Sequence, residues 1–567
     1  MLLKGNGVSA GIAVGKAYIY QAFKSDVHEA YFEKGKEADY LAAWRLAKEK
    51  AEAELNAVID YLDKNGDDKA DIFRAHKEIL FDEEIDEMVT DAIQNERTMP
   101  DFAVERSFGE FIEILGHAKD KLIAERTTDL RDVRNRLIRT LSGQRENDLS
   151  LLPEEVIVVA HDLLPSDTAT IDRNKVIGII TEVGSATSHS AIIARSYRIP
   201  AILSVPQATK ILENGEFIAM DAMEGTVSVN PDQAAVEKYR RKKAAFDREA
   251  AVIETFQSRE ARLKSGERVE VGINIGGETD ADGYGDCDFI GLFRTEFLYM
   301  GNDHLPSEEE QFEAYKAVLE RAEGKPVTLR TLDIGGDKTL KYMELPKEDN
   351  PFLGKRAIRL CFDRPELFRT QLTAALRASA YGKLKIMFPM VGSIEDFRKA
   401  KQFVEKIKVD LKRRGCAFDT DVRLGIMIEI PSIATIADLA AKEVDFASIG
   451  TNDLCQYFCA VDRMNDSIGG YYQSYSPAFI RLLAGVIRAF NNTGKEISMC
   501  GELAGDPKAT AVLIGLGLRK FSMNASSIAK IKWKLSELTA GQAKDTVRTI
   551  GRFTTQEEIL NYLENGG

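Results

Sequence analysis

Apolar and small residues alternate through the first twenty positions, ending in GVSAGIAVGKAYIY, a pattern that predicts short strands around a turn. From about residue 25 to 145 the texture changes. In EADYLAAWRLAKEKAEAELNAVIDYL and DIFRAHKEILFDEEIDEMVTDAI, apolar residues recur every three or four positions, and Gly and Pro are sparse. That spacing predicts an antiparallel helical bundle. Residues 150–230 return to strand-like runs (VIVVA, VIGIITE, PAILSV, EFIAMDA, GTVSVN) around a helical SHSAIIARSY. They read as a small α/β domain whose sheet the first twenty residues complete, with the bundle as an insertion. Residues 232–262 read as helical throughout and as a connector.

From residue 263 onward, eight strand-like segments follow in order, most of them separated by helical stretches: RVEVGINI, FIGLFRTEF, VTLRTLDIGG, LKIMFPMV, RLGIMIEIP, FASIGTND, EISMCGEL and RKFSMN. Eight βα units predict a TIM barrel. The chain thus divides into an α/β domain (1–22 and 146–231), an inserted helical domain (23–145), a helical linker (232–262) and a (β/α)8 barrel (263–567). A barrel demands that polar chemistry collect at the C-terminal ends of its strands. Arg294 and Glu296 end the second, Arg330 and Asp333 the third, Glu429 the fifth, and Asn452 and Asp453 the sixth. Cys500 and Glu502 end the seventh and Asn524 the eighth.

Composition narrows the function. The 567 residues carry a formal charge of −14, which opposes general nucleic-acid binding while admitting a local basic pocket or a basic protein partner. No apolar run approaches the roughly 18–20 residues of a membrane span, and the start lacks the apolar stretch of a secretory signal. All six cysteines lie in the second half without a CxxC pair, which fits thiols in a reducing cytosol. No GxxxxGK[ST] occurs, and GNGVSAG has the wrong spacing for a dinucleotide fingerprint, so nucleotide binding has no motif behind it.

In VIGIITEVGSATSHSAIIAR a strand, a turn at Gly184 and a helix succeed one another, with His189 in the first helical turn and Ser188 or Thr187 as its cap. Unpaired N–H groups at a helix start favour anions and disfavour imidazolium, keeping the ring neutral and nucleophilic. A lone histidine more often caps or packs; its setting in Thr-Ser-His-Ser after a glycine turn shifts that balance.

GSATSHSAIIAR resembles the phosphohistidine signature shared by phosphoenolpyruvate-utilising enzymes. The domain order resembles enzyme I of the phosphoenolpyruvate:sugar phosphotransferase system. The likeness runs from KGNGVSAGIAVGKA through AHKEILFDEE to GLFRTEFLYM, RTLDIGGDK, NPFLGKRAIR, IGTNDLCQY and MCGELAGD, essentially the whole chain. It implies that His189 takes a phosphoryl group from phosphoenolpyruvate and passes it to a histidine-containing phosphocarrier protein, the first step of sugar uptake. The same resemblance assigns Mg²⁺ to Glu429 and Asp453, which suits an ion that commonly takes one or two carboxylates plus substrate oxygens. It places Arg294, Arg330 and Arg463 on the substrate, where guanidinium forks fit phosphate and carboxylate, with Asn452 as an added donor and Arg356 as a further contact. Cys500 becomes the acid that protonates enolpyruvate at C3. The remaining cysteines, including Cys455 and Cys459 at i, i+4, read as small hydrophobes. A cytoplasmic homodimer joined through the barrel is expected on the same ground. Because His189 and the barrel lie in different domains, the histidine must swivel between them, with the helical insertion docking the carrier.

Two positions depart from the family pattern: Ser185 and Ser204 stand where glycines are usual, and non-glycine residues resist positive φ. Neither removes a reacting group. A dikinase-type relative would need a nucleotide-binding domain and a nitrogen-regulatory one a sensory domain, neither of which is expected here. The rival from another class is a non-catalytic paralogue serving as a phosphorylation-state scaffold. Intact His189, Cys500, Glu429 and Asp453 argue against it.

Overall fold

In this computed structural model the described residues are 1–20, 27–64, 70–116, 121–142, 154–163, 174–185, 188–278, 284–302, 304–335 and 348–565. The single positions 149, 152, 167, 171, 172, 280, 340, 342 and 343 complete them. They form two units, Met1–Glu249 and Ala250–Gly567.

The first unit is built on one eight-stranded sheet. Its strands are β1 (Leu2–Lys4), β2 (Asn6–Ser9), β3 (Ile12–Tyr20), β4 (Val156–Ala160), β5 (Val176–Thr181), β6 (Ala201–Leu203), β7 (Phe217–Asp221) and β8 (Thr226–Val229). Their order is β1-β8-β7-β3-β4-β5-β6-β2. β3 pairs in parallel with β4, Tyr18 opposite Val158, so the strand before the helical insertion lies directly beside the strand after it. All five residues of β4 are buried. Ile157 and Val159 join one apolar layer and Val158 and Ala160 another, as a strand covered on both faces requires. Between β3 and β4 the chain forms α1 (Glu37–Lys64), α2 (Ala70–Leu80), α3 (Glu83–Gln94), α4 (Pro100–Gly116) and α5 (Lys121–Ser142). Trp44, Ala51 and Leu55 keep one face of α1 in a core shared with Phe73, Val89, Phe108 and Leu137.

α6 (His189–Ser196) follows β5, and α7 (Gln233–Glu254) leaves the sheet. Helix over all of 232–262 is not found. After Glu254 the chain passes into turns, because Gln257 Nε2 and Ser258 Oγ both donate to Asp286, at 2.9 and 2.6 Å. Those bonds tie the segment to the loop before β10 within the second unit, in a shape no helix could keep.

The second unit is a closed, all-parallel barrel of β9 (Glu270–Ile275), β10 (Ile290–Arg294), β11 (Val327–Arg330), β12 (Leu384–Phe388), β13 (Arg423–Ile428), β14 (Phe446–Ile449), β15 (Glu496–Met499) and β16 (Lys520–Met523). β16 closes on β9 with Phe521 opposite Val271. With the mixed sheet of the first unit, this makes the chain a multidomain α/β protein with a C-terminal (β/α)8 barrel. Arg294 and Arg330 are the last residues of β10 and β11, and the other polar residues expected at strand ends sit slightly beyond them. Glu296 opens the short helix Glu296–Met300, and Asn452 and Asp453 lie in the first turn of helix Thr451–Cys459. Glu429 and Cys500 are the first residues after β13 and β15. Among the described residues no helix is long and apolar enough to cross a membrane.

Candidate active site

The C-terminal mouth of the barrel encloses a cavity of about 620 Å³. It is lined by Arg294, Arg330, Arg356 and Arg463, by Glu296, Asp333, Glu429 and Asp453, and by Asn452 and Cys500. All eight barrel-site residues expected from the sequence therefore face one space.

Most of the charges there are already paired. Arg330, at the end of β11, bonds Glu296 through Nη2 and approaches Asp333 Oδ2 at 2.9 Å through Nη1. Arg356, which precedes helix Ala357–Asp363, reaches Asp333 Oδ1 at 2.8 Å and Asp453 Oδ2 at 3.3 Å. Arg463 Nη1 lies 3.2 Å from the other oxygen of Asp453. The order Glu296, Arg330, Asp333, Arg356, Asp453, Arg463 thus alternates in sign. Burial alone would lower the basicity of Arg330 and Arg356, but the surrounding carboxylates outweigh it and raise both. Arg294 differs: its guanidinium pairs with no described residue and stands open at the mouth. Asn452 is held in a reciprocal pair with Glu502, donating to its carboxylate at 3.1 Å and accepting from its amide at 2.9 Å.

Glu429 is buried, and Oε1 accepts from the Met390 amide at 2.6 Å. Met390 adopts φ +55°, an unusual conformation for a methionine, and this aims its N–H at the carboxylate. Burial pushes Glu429 up to about 8, with Asp453 and Asp333 adding to the effect. A carboxylate so displaced is one that a bound cation would return to its charged form. Glu429 Oε2 accepts no hydrogen bond from a described residue, and Asp453 Oδ1 is buried with none either, the Arg463 guanidinium at 3.2 Å being its ion-pair partner. Two such oxygens fit one hard divalent ion whose other ligands are water or substrate. No cluster of three or more His, Cys, Asp or Glu among the described residues could hold a metal by itself.

Cys500 is 3% exposed and sits in an apolar layer with Leu292, Met387, Met427 and Phe446. Burial raises its thiol, against the opposing pull of Arg330 and Arg294. A thiol so raised stays protonated at neutral pH. The adjoining Gly501 has no room for a side chain, since a Cβ there would lie 2.0 Å from Thr451 Oγ1.

His189 belongs to the other unit, as the first residue of α6. Ser188 caps the helix, its Oγ accepting from the Ala191 amide at 3.4 Å and donating to Ser185 O at 2.9 Å. The alternative cap, Thr187, lies outside the described residues, as does the stretch after Gly335 in RTLDIGGDK. Ser204 adopts φ +56°, the conformation that favours glycine, and its hydroxyl donates to Gly184 O at 2.7 Å. That bond braces the turn leading into α6 and offsets the strain the substitution introduces.

Sequence reasoning gave Glu296 and Asp333 no role beyond their place at strand ends, yet they are the anionic partners of the buried arginines. It missed Tyr457, whose hydroxyl donates to Phe352 O at 2.6 Å and accepts from Arg356 at 3.2 Å. One signal was available: Tyr457 follows Asp453 by four residues on one helix, hence on the same face.

Three family models match along the chain. They are the PEP-utilising enzyme N-terminal model over residues 4–126, the mobile-domain model over 152–225 and the PEP-binding-domain model over 250–540. The chain is 43% identical to the phosphoenolpyruvate-protein phosphotransferase of Priestia megaterium, covering 99% of this chain and 98% of that protein. It is 44% identical to that of Bacillus subtilis (strain 168), covering 99% of each. A solution NMR structure of Enzyme I (nEIt) is 39% identical over 43% of this chain and 99% of its own, with a TM-score of 0.39. With this identity sustained across nearly the full length, the chain belongs to the phosphoenolpyruvate-protein phosphotransferase family.

Proposed function

We propose that the chain transfers the phosphoryl group of phosphoenolpyruvate to its own His189 and then to a histidine of a small phosphocarrier protein. Pyruvate is released, and the reaction is the first step of phosphotransferase-system sugar uptake. The observation that carries this reading is the convergence of four arginines and the carboxylates of Glu429 and Asp453 on one cavity. At about 620 Å³ it can take a small trianion and still admit an imidazole.

In this reading the guanidiniums of Arg294, Arg330, Arg356 and Arg463, with the Asn452 amide, hold the phosphate and carboxylate of the substrate. Phosphoryl transfer passes through a loose transition state, so orientation and charge neutralisation do most of the catalysis. A ring nitrogen of His189 forms the new bond to phosphorus as the bond to the enol oxygen breaks. Cys500 gives its proton to C3 of the departing enolate, completing pyruvate, and the thiolate is reprotonated from solvent. Burial suits the thiol to this task by keeping it protonated until the enolate is present. Glu429 and Asp453 would hold Mg²⁺, which supplies positive charge against the substrate oxygens when bound.

His189 and the barrel belong to different units, so the histidine must be presented to each partner in turn. We assign that movement to the α/β domain swivelling on the helical linker, and carrier docking to the inserted bundle. A cytoplasmic homodimer formed through the barrel completes the proposal.

The test is incubation with radiolabelled phosphoenolpyruvate and Mg²⁺, followed by peptide mapping at alkaline pH. An acid-labile phosphate should reside on the peptide containing residue 189, be absent from His189→Ala, and pass to added phosphocarrier protein. Absence of label from the unaltered chain would refute the reading.

A further inference from the structure

We propose that Asp333 is a positioning residue, whose two carboxylate oxygens fix the separation and tilt of Arg330 and Arg356 so that the two guanidiniums act as one clamp. This rests on the reading that the cavity binds phosphoenolpyruvate.

The geometry is specific. Asp333 is 1% exposed, with Oδ2 2.9 Å from Arg330 Nη1 and Oδ1 2.8 Å from Arg356 Nη2. The two arginines come from different supports, one from the end of β11 and the other from the residue preceding helix Ala357–Asp363. Nothing in the strand pairing sets their spacing. Two guanidiniums buried at 7% and 2% exposure repel each other in a medium that screens poorly. A carboxylate between them cancels that repulsion and dictates which edge each planar fork presents. The clamp is not used up by this contact. The Nε–H of each arginine is buried without a hydrogen-bond acceptor among the described residues. The outer edges are braced separately, Arg330 by Glu296 and Arg356 by the Tyr457 hydroxyl at 3.2 Å.

Charge balance alone would make the opposite forecast. A buried negative charge beside an anion site weakens anion binding, so its removal should tighten the substrate if neutralisation were all that Asp333 did. If it sets geometry, its removal should loosen the substrate despite the more favourable field. The sign of the change therefore separates the two roles. Asp333→Glu separates them again, because it keeps the charge and displaces the carboxylate by about 1.5 Å. A misplacement near 1 Å in a positioned site can cost about a hundredfold.

The experiment is calorimetric binding of phosphoenolpyruvate with Mg²⁺ to the full chain carrying His189→Ala, which blocks turnover. Asp333→Asn and Asp333→Glu are each added to that parent, with circular dichroism melting run alongside. Both substitutions should raise Kd tenfold or more while the barrel remains folded at 25 °C. An unchanged or lowered Kd in Asp333→Asn, or parent-like binding in Asp333→Glu, would overturn the inference and leave the functional reading intact. Should Asp333→Asn fail to fold, Asp333→Glu decides alone. A parent that binds no phosphoenolpyruvate would overturn the functional reading, and this inference with it.

Discussion

The N-terminal rim of the barrel, opposite the cavity, carries its own ion cluster around Glu496, the first residue of β15. Lys385 Nζ lies 2.7 Å from both carboxylate oxygens, Arg423 Nη1 2.8 Å from one and Lys520 Nζ 3.1 Å from the other. Burial would raise Glu496, but Lys385 and Lys520 override it and hold the carboxyl down to about 2 from an ordinary 4.5. The side chain is 22% exposed, so solvent screening removes only part of this effect. At about 1.4 kcal/mol per pH unit, the displacement corresponds to about 3 kcal/mol at neutral pH. This is an upper value, because burial lowers Lys385, a cost set against the gain. The folded value lies below the unfolded one. The contribution is therefore complete above 4.5, falls to about 2 kcal/mol at pH 3.5 and vanishes below 2. Glu496→Gln should destabilise the barrel by about 3 kcal/mol at pH 7, with the gap from the unaltered protein narrowing to about 2 kcal/mol at pH 3.5. The assay is urea unfolding followed by Trp533 fluorescence after Trp44→Phe, since these are the two tryptophans of the chain. In the folded variant at pH 7, kcat should be unchanged, because the proposed chemistry lies at the opposite rim. A pH-independent gap, or a loss of kcat without unfolding, would refute the reasoning.

Three further outcomes are expected. Cys500→Ser replaces the thiol with a far weaker acid and should slow pyruvate formation by about 10²–10⁴-fold in a lactate-dehydrogenase-coupled assay; a change under threefold would remove Cys500 from the proton step. Arg463→Ala, at a side chain 30% exposed, should raise the KM for phosphoenolpyruvate with little change in melting temperature. Arg356→Ala, at 2% exposure, should also cost about 3–5 kcal/mol in urea unfolding, because Asp333 is left with a buried charge on one side; equal stability losses would contradict the pairing described. Ser204→Gly should change stability by less than about 1 kcal/mol, the relief of φ +56° offsetting the lost bond to Gly184 O. Ser204→Val, which lacks the hydroxyl and is branched at Cβ, should cost about 2 kcal/mol or more by thermal melting of the full chain.

Period and strand count made the architecture readable. The eight barrel strands are short apolar runs with polar residues just beyond them, and a closed barrel then forces those residues toward one mouth. The end of α7 was not readable, because Gln257 and Ser258 leave the helix to bond Asp286, a partner that helical spacing cannot reveal. Nor was the raised thiol of Cys500, which arises from Leu292, Met387, Met427 and Phe446 on other strands. The sequence displayed the arginines of the mouth as cations ready for substrate. In the fold Arg330 and Arg356 are neutralised by Glu296, Asp333 and Asp453 before any substrate arrives. Desolvating two adjacent guanidiniums without anions would cost several kcal/mol for each ion. The carboxylates that make burial tolerable also weaken the pull on an incoming anion. In the proposed reaction what remains is orientation: donors fixed in advance need no rearrangement as charge develops on the phosphoryl oxygens, and a clamp of limited grip can release pyruvate. On the proposed reading Arg294, paired with no described residue, is then the cation that gains most from substrate binding. Its replacement should weaken binding more than its half-exposed position alone would suggest.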